Sequence, residues 1–124
     1  MQIESSLSGA HAEKLAEDYL QQQGLILVAK NFRTPRGEID LIMRDNAFLV
    51  FVEVRFRQRS DFGSAEESIT PQKCQRLTAA ALAYMQSQKL TDKLSARFDA
   101  VAISPSPLNT QPDYRINWIK NILQ

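Results

Sequence analysis

One cysteine, Cys74, and one histidine, His11, are all that the 124 residues provide of those two types. An internal disulfide is excluded, and a zinc site of the Cys/His kind has no material to build it. A Ser-His-Asp or Cys-His nucleophilic centre has only this one histidine to draw on. No apolar run approaches the roughly 20 residues that cross a bilayer, and the opening MQIESSLSGAH lacks the basic and apolar blocks of a signal peptide. The chain therefore reads as cytoplasmic, and its lone thiol fits a reducing compartment. A marked excess of charge of either sign is missing too. Fifteen Lys and Arg against 14 Asp and Glu leave a formal net charge of +1, so the sum points to no anionic partner.

What is present is a folding composition. Hydrophobic residues make up 44% and charged residues 23%, which sets the chain apart from disordered sequences. Its length suits one compact core and is short for two. Residues 1–7 read as a flexible polar lead and 8–124 as a single domain.

Two periodicities organise that domain. In SGAHAEKLAEDYLQQQG, the residues Ala12, Leu15, Ala16, Tyr19 and Leu20 fall on one helical stripe, with Ser8 placed to cap and Gly24 to stop. LILVAKNFR, GEIDLIMR and FLVFVEVRFR read as strands, the last two joined by a tight turn around Asp45 and Asn46. After a polar loop, Thr70 and Pro71 start a second helix whose stripe is Leu77, Ala80, Ala81 and Tyr84. ARFDAVAI and YRINWI complete the set as strands. The order α-β-β-β-α-β, with one extra strand, predicts an α/β fold with a central mixed sheet flanked by helices: a meander pairs antiparallel, and a helical crossover permits parallel pairing.

The chemistry gathers where carboxylates interrupt buried strands. Side chains alternate along a strand, so Glu38, Asp40 and Ile42 share one face and Ile39, Leu41 and Met43 the other; Leu49, Phe51, Glu53 and Arg55 form a similar set. A two-residue loop at Asp45 and Asn46 sets Arg44 opposite Ala47, Asp40 opposite Phe51 and Glu38 opposite Glu53, which brings all three acids to one face. A three-residue loop separates Asp40 from Glu53. Acids so gathered raise one another's pKa unless a cation neutralises them. Mg²⁺, or Mn²⁺, is one such cation, since a hard ion needs only one or two protein carboxylates. Arginine is the other, with Arg55 and Arg57 pairing Glu38 and Glu53 in a purely structural cluster. Lys73, one turn before Leu77, directs its stem toward the sheet, and Glu13 sits at the edge of the first helix's apolar stripe. A metal held by acids beside a fixed cation is what phosphodiester hydrolysis requires.

Through GEIDLI, FVEVRFR, Phe62–Gly63, the lysine of PQKCQRL and Arg97–Asp99, the sequence resembles the YraN family of small bacterial proteins over nearly its whole length. That family in turn resembles the restriction-endonuclease-like, PD-(D/E)xK nuclease superfamily, close in outline to Holliday-junction resolvases with the same α-β-β-β-α-β core. The resemblance implies an endonuclease-like domain over 8–124. It makes Asp40, Glu53 and Glu13, the acid of the first helix, the metal ligands for Mg²⁺ or Mn²⁺. Glu38 becomes an auxiliary catalytic acid and Lys73 a cation on phosphate or water. Arg55 stands where the motif lysine is usual, and a guanidinium cannot act as a base. Apart from the resemblance, arginines crowd around the acids, and of these Arg36, Arg57 and Arg59 are the expected nucleic-acid contacts.

Two functional readings follow: a Mg²⁺-dependent nuclease, or nuclease-derived protein, acting on DNA or branched nucleic acid, and a non-catalytic nucleic-acid-binding or adaptor module that keeps the fold. Resolvase-like relatives work as symmetric pairs, which makes a homodimer an expectation of the resemblance. The phenylalanines, Trp118 and Cys74 read as packing residues, and Asp99 as a structural partner for Arg97. The polar loop from Gln58 to Ile69 is placed to close over a substrate.

Overall fold

The computed structural model describes residues 9–56, 70–90, 93–107, 111 and 113–123. The expected polar lead, the Ser8 cap, Arg57, Arg59 and the loop after them lie outside the described residues. Helix α1 spans Gly9–Gln22, strands β1 Ile26–Thr34, β2 Gly37–Asp45 and β3 Phe48–Phe56, helix α2 Pro71–Ser87, and strands β4 Ser95–Pro105 and β5 Tyr114–Ile119. The α-β-β-β-α-β core and the extra strand follow the expected order.

Helix α1 ends where Gly24 adopts φ +99, a conformation that suits glycine. Leu25 N–H then donates to Leu20 C=O at 3.0 Å and Gly24 N–H to Gln21 C=O at 3.0 Å, the bonding of a Schellman cap. Leu20 and Leu25, which such a cap brings together, both enter the core. Helix α2 begins as its sequence proposes, with Pro71 in the first turn and Thr70 Oγ1 accepting from Lys73 N–H at 3.2 Å. A cap of this type is worth about 1 kcal/mol.

The strands form one sheet in the order β1-β2-β3-β4-β5. Pairing is antiparallel except between β3 and β4, which run parallel because α2 carries the chain back across the sheet. One face packs on α1, burying Leu41, Met43, Val50, Val52 and Val101 against Ala12, Ala16 and Leu20. The other packs on α2, burying Ile42, Leu49 and Phe51 against Leu77, Ala80, Ala81 and Tyr84. Each large apolar side chain so buried contributes about 1.5–3 kcal/mol relative to exposure.

The β2–β3 turn differs from expectation by position, not by length. It is Asn46–Ala47, with Asn46 at φ 55, and Asp45 stays in the strand opposite Phe48, where it pairs with Arg97 Nη2 at 3.2 Å. Asparagine accepts the left-handed region more readily than most residues, and the arginine holds the aspartate in line. The register moves by two: Arg44 faces Leu49, not Ala47, and Phe51 faces Ile42, not Asp40. A shift of two leaves every side chain on its face.

Strict alternation fails within β2. Ile39 packs with Ile42 on the α2 side and not with Leu41 and Met43. The β2–β3 ladder stops at Leu41–Val52, and across β1 the facing residue Asn31 has φ 53. Freed from one neighbour and unevenly held by the other, β2 is able to turn at Asp40.

Candidate active site

The parting of β2 from β3 creates the site. Continuing their register by one step sets Asp40 opposite Glu53. There the ladder is replaced by a side chain: Val54 N–H donates to Asp40 Oδ2 at 2.8 Å. The two carboxyl groups are close enough to act on one another electrostatically. They face a cavity of about 310 Å³ whose wall includes Glu13 of α1, Glu38 of β2, Arg55 of β3, and Lys73 and Arg76 of α2. The N-terminal turns of both helices reach this cavity, and such turns favour negative charge.

Electrostatics at the pair are those of crowded acids. Burial pushes Asp40 up to about 7, helped by the charges of Glu53, Glu13 and Glu38 and opposed by the Val54 N–H. Glu53 is also raised, again chiefly by burial, while Arg55 and then Lys73 pull it back. Burial and mutual repulsion therefore disfavour ionising both acids at once, so the pair holds a proton more tightly than free carboxyls do. A divalent cation taking that proton's place relieves both burial and repulsion.

The residues present suit such an ion. Two hard carboxylates face one another beside a cavity, and Mg²⁺ is commonly held by one or two protein carboxylates with waters and phosphate oxygens completing the shell. Among the described residues no three Asp, Glu, His or Cys side chains converge as a complete ligand set. That composition fits an ion that shares its coordination with substrate better than one caged by protein.

Each expected site residue within the described chain can now be placed. Glu13, Glu38, Asp40, Glu53, Arg55 and Lys73 line the one cavity. Arg55 Nη1 lies 3.3 Å from Glu53 Oε2, with the two side chains 26% and 17% exposed. The expected pairing of Glu38 differs: its carboxylate lies 3.7 Å from Arg33 Nε, a β1 neighbour across the ladder, in an exposed contact of small energetic weight. Arg36 is exposed in the β1–β2 turn, and its side of α2 holds separate shallow grooves. Arg76 was not singled out by sequence reasoning. Its signal is the spacing of three from Lys73, which puts both cations on one side of α2.

Other polar clusters are structural. Asp99 is fully buried and accepts from Arg97 Nε at 3.0 Å, Arg97 Nη2 at 3.0 Å, Trp118 Nε1 at 2.9 Å and the Asn121 N–H at 3.1 Å. Trp118 also meets Tyr19 edge-on at 6.4 Å, so it packs as expected. Glu17, buried on α1, forms an ion pair with Lys30 Nζ at 3.0 Å. Cys74 is half-buried, not fully buried, at the margin of a groove beside α2. No helix among the described residues is long and apolar enough to cross a membrane.

Comparison with known proteins gives a consistent family. Residues 12–103, which include every carboxylate and cation of the cavity wall, match the model of the uncharacterised protein family UPF0102. A UPF0102 protein of Coxiella burnetii is 49% identical over 116 residues, covering 94% of this chain and 91% of that protein. One from Aliivibrio fischeri is 44% identical over 93% of this chain and 89% of its own length. One from Legionella pneumophila is 42% identical over 91% of each. The chain belongs to the UPF0102 family, the YraN family that its GEIDLI and FVEVRFR segments resemble.

Proposed function

We propose that this protein is a cytoplasmic Mg²⁺-dependent nuclease, or a descendant of one, acting on DNA or branched nucleic acid by phosphodiester hydrolysis. The observation that carries the reading is the Asp40–Glu53 pair, set side by side and open to a cavity that also receives Lys73. Asp40 and Glu53 would hold the ion, with Glu13 on the cavity wall to receive its waters. When bound, Mg²⁺ or Mn²⁺ supplies positive charge and Lewis acidity at the phosphate.

The chain's own groups do the rest. Lys73 contributes a cation on the cavity wall, fixed by the Thr70 cap at the start of its helix. Arg55 opposes the upward push of burial on Glu53 and cannot take up a proton from water, so its part is to position and neutralise. Val54 N–H fixes the orientation of the Asp40 carboxylate.

The second reading, a binding module that keeps the fold, is favoured by Arg55 itself: a permanent charge paired to Glu53 stands where a nuclease of this type has lysine. Calorimetric titration with Mg²⁺ and Mn²⁺, followed by cleavage assays on linear, flapped and four-way DNA, separates the readings. The nuclease reading expects metal binding and cleavage in the wild type, both lost in folded Asp40→Ala and Glu53→Ala. DNA binding with metal but without cleavage on any substrate favours the module. No metal binding with or without DNA overturns the proposed site.

A further inference from the structure

Helix α2 brings a second cation to the cavity, and its placement depends on a glycine two strands' turn away. Gly37 opens β2 directly against the backbone of α2: a Cβ there would lie 2.5 Å from the Arg76 carbonyl oxygen and 2.9 Å from the Arg76 Cβ. No other residue type permits so close an approach. The β1–β2 turn cannot readily retreat. Thr34 Oγ1 donates to Gly37 C=O at 3.0 Å and accepts from the Gly37 and Arg36 N–H groups at 3.1 Å each. The strand that carries Glu38 and Asp40 is thereby clamped to the helix segment that carries Lys73 and Arg76.

The two cations differ in their relation to the acids. Lys73 pulls on Glu53 electrostatically and so belongs to the inner part of the cavity. Arg76 is exposed and lies about 4.5 Å further along the helix, three residues at 1.5 Å each. Among the described residues, neither forms an ion pair, whereas Arg55 is engaged with Glu53 and Arg33 with Glu38. Two uncommitted cations stand beside an acid pair on a wall of fixed geometry.

We propose that Arg76 contacts the backbone phosphate next to the one held at Asp40 and Glu53, so that the site takes a strand with at least two consecutive phosphates and not a mononucleotide. This inference rests on the nucleic-acid reading above and deepens it. Guanidinium suits the role, since its fork of donors matches phosphate oxygens and its charge does not depend on pH. Lys73 serves the inner phosphate, Arg76 the outer, and Gly37 fixes the distance between them and the carboxylates.

The test is the salt dependence of binding of a fluorescent four-way DNA junction, measured by anisotropy with Ca²⁺ in place of Mg²⁺. Each phosphate contact contributes about 0.9 to the slope of log K against log salt on duplex DNA. Arg76→Ala should lower the slope by about 0.9 and weaken binding about eightfold at 0.1 M salt, and Arg76→Lys should restore most of both. The variant changes an exposed side chain, and circular dichroism checks its fold. Lys73→Ala, run in parallel, reports on the site itself. A lowered slope for Lys73→Ala with none for Arg76→Ala overturns this inference and leaves the functional reading standing. Weaker binding by Arg76→Ala at unchanged slope also overturns it, because the residue then acts by some means other than a phosphate contact. No binding of the junction by the wild type at low salt overturns both.

Discussion

Replacing Asp40 by asparagine should stabilise the folded protein above neutral pH in metal-free solution. In the folded chain Asp40 holds its proton up to about pH 7, against 3.8 for the ordinary carboxyl. The folded state therefore binds that proton more tightly than the unfolded state does. The contribution to stability is fully present below 3.8 and is lost as pH rises through 7. Each pH unit of that window corresponds to 1.36 kcal/mol, so ionising Asp40 costs the fold about 4 kcal/mol by pH 8. Asparagine reproduces the protonated acid: its carbonyl accepts from Val54 N–H, where the wild-type contact is 2.8 Å, and its amide donates to Glu53. At pH 8 the variant should melt about 15 °C higher than the wild type, and at pH 4 the two should nearly coincide. Thermal melts in EDTA across pH 4–9 measure the difference directly, and groups that titrate alike in both proteins cancel. Parallel profiles across that range, or a variant less stable at pH 8, would refute the reasoning that the pair is strained by its own charge.

Metal binding should release the same proton. With a site pKa of about 7, Mg²⁺ affinity should be about tenfold weaker at pH 6 than at pH 8, and calorimetry in two buffers of different ionisation enthalpy should detect the proton. Asp99→Ala should cost about 3–5 kcal/mol in urea unfolding, because Arg97 and Trp118 Nε1 lose a buried partner, while metal titration of the folded variant stays unchanged. Gly37→Ala should cost about 1–3 kcal/mol by overpacking against Arg76. In whatever fraction folds, it should also lower the salt slope of DNA binding, as displacement of Lys73 and Arg76 requires.

The sequence made most of this architecture legible because its strong signals are local. Thr70 with Pro71, and Gly24 after an apolar stripe, each mark a boundary through the chemistry of one or two residues. Parity was legible only on condition of a two-residue turn, which the Asn46–Ala47 turn meets. The register was not, because Asp45 and Asn46 are both plausible turn residues, and only the distant Arg97 favours keeping Asp45 in the strand. Ile39 defeated alternation for a similar reason, since the end of a ladder depends on a neighbouring strand and not on the residues themselves. Arg76 went unnoticed because its one signal on its own helix, the spacing of three from Lys73, is weak by itself. Its significance comes from Gly37, far off in sequence, and a lone glycine after Arg36 reads simply as a turn.

The Asn46–Ala47 turn has a consequence for how this family can vary. Any insertion or deletion there must come in pairs of residues, because an odd change would send Asp40 and Glu53 to opposite sides of the sheet. The same odd change would carry Leu41 and Met43 on one strand, or Val50 and Val52 on the other, from the α1 side to the α2 side and mispack both cores. Loss of the acid pair by slippage is thus tied to loss of the core. A copy that folds through this hairpin has, by that fact, already brought its two acids together.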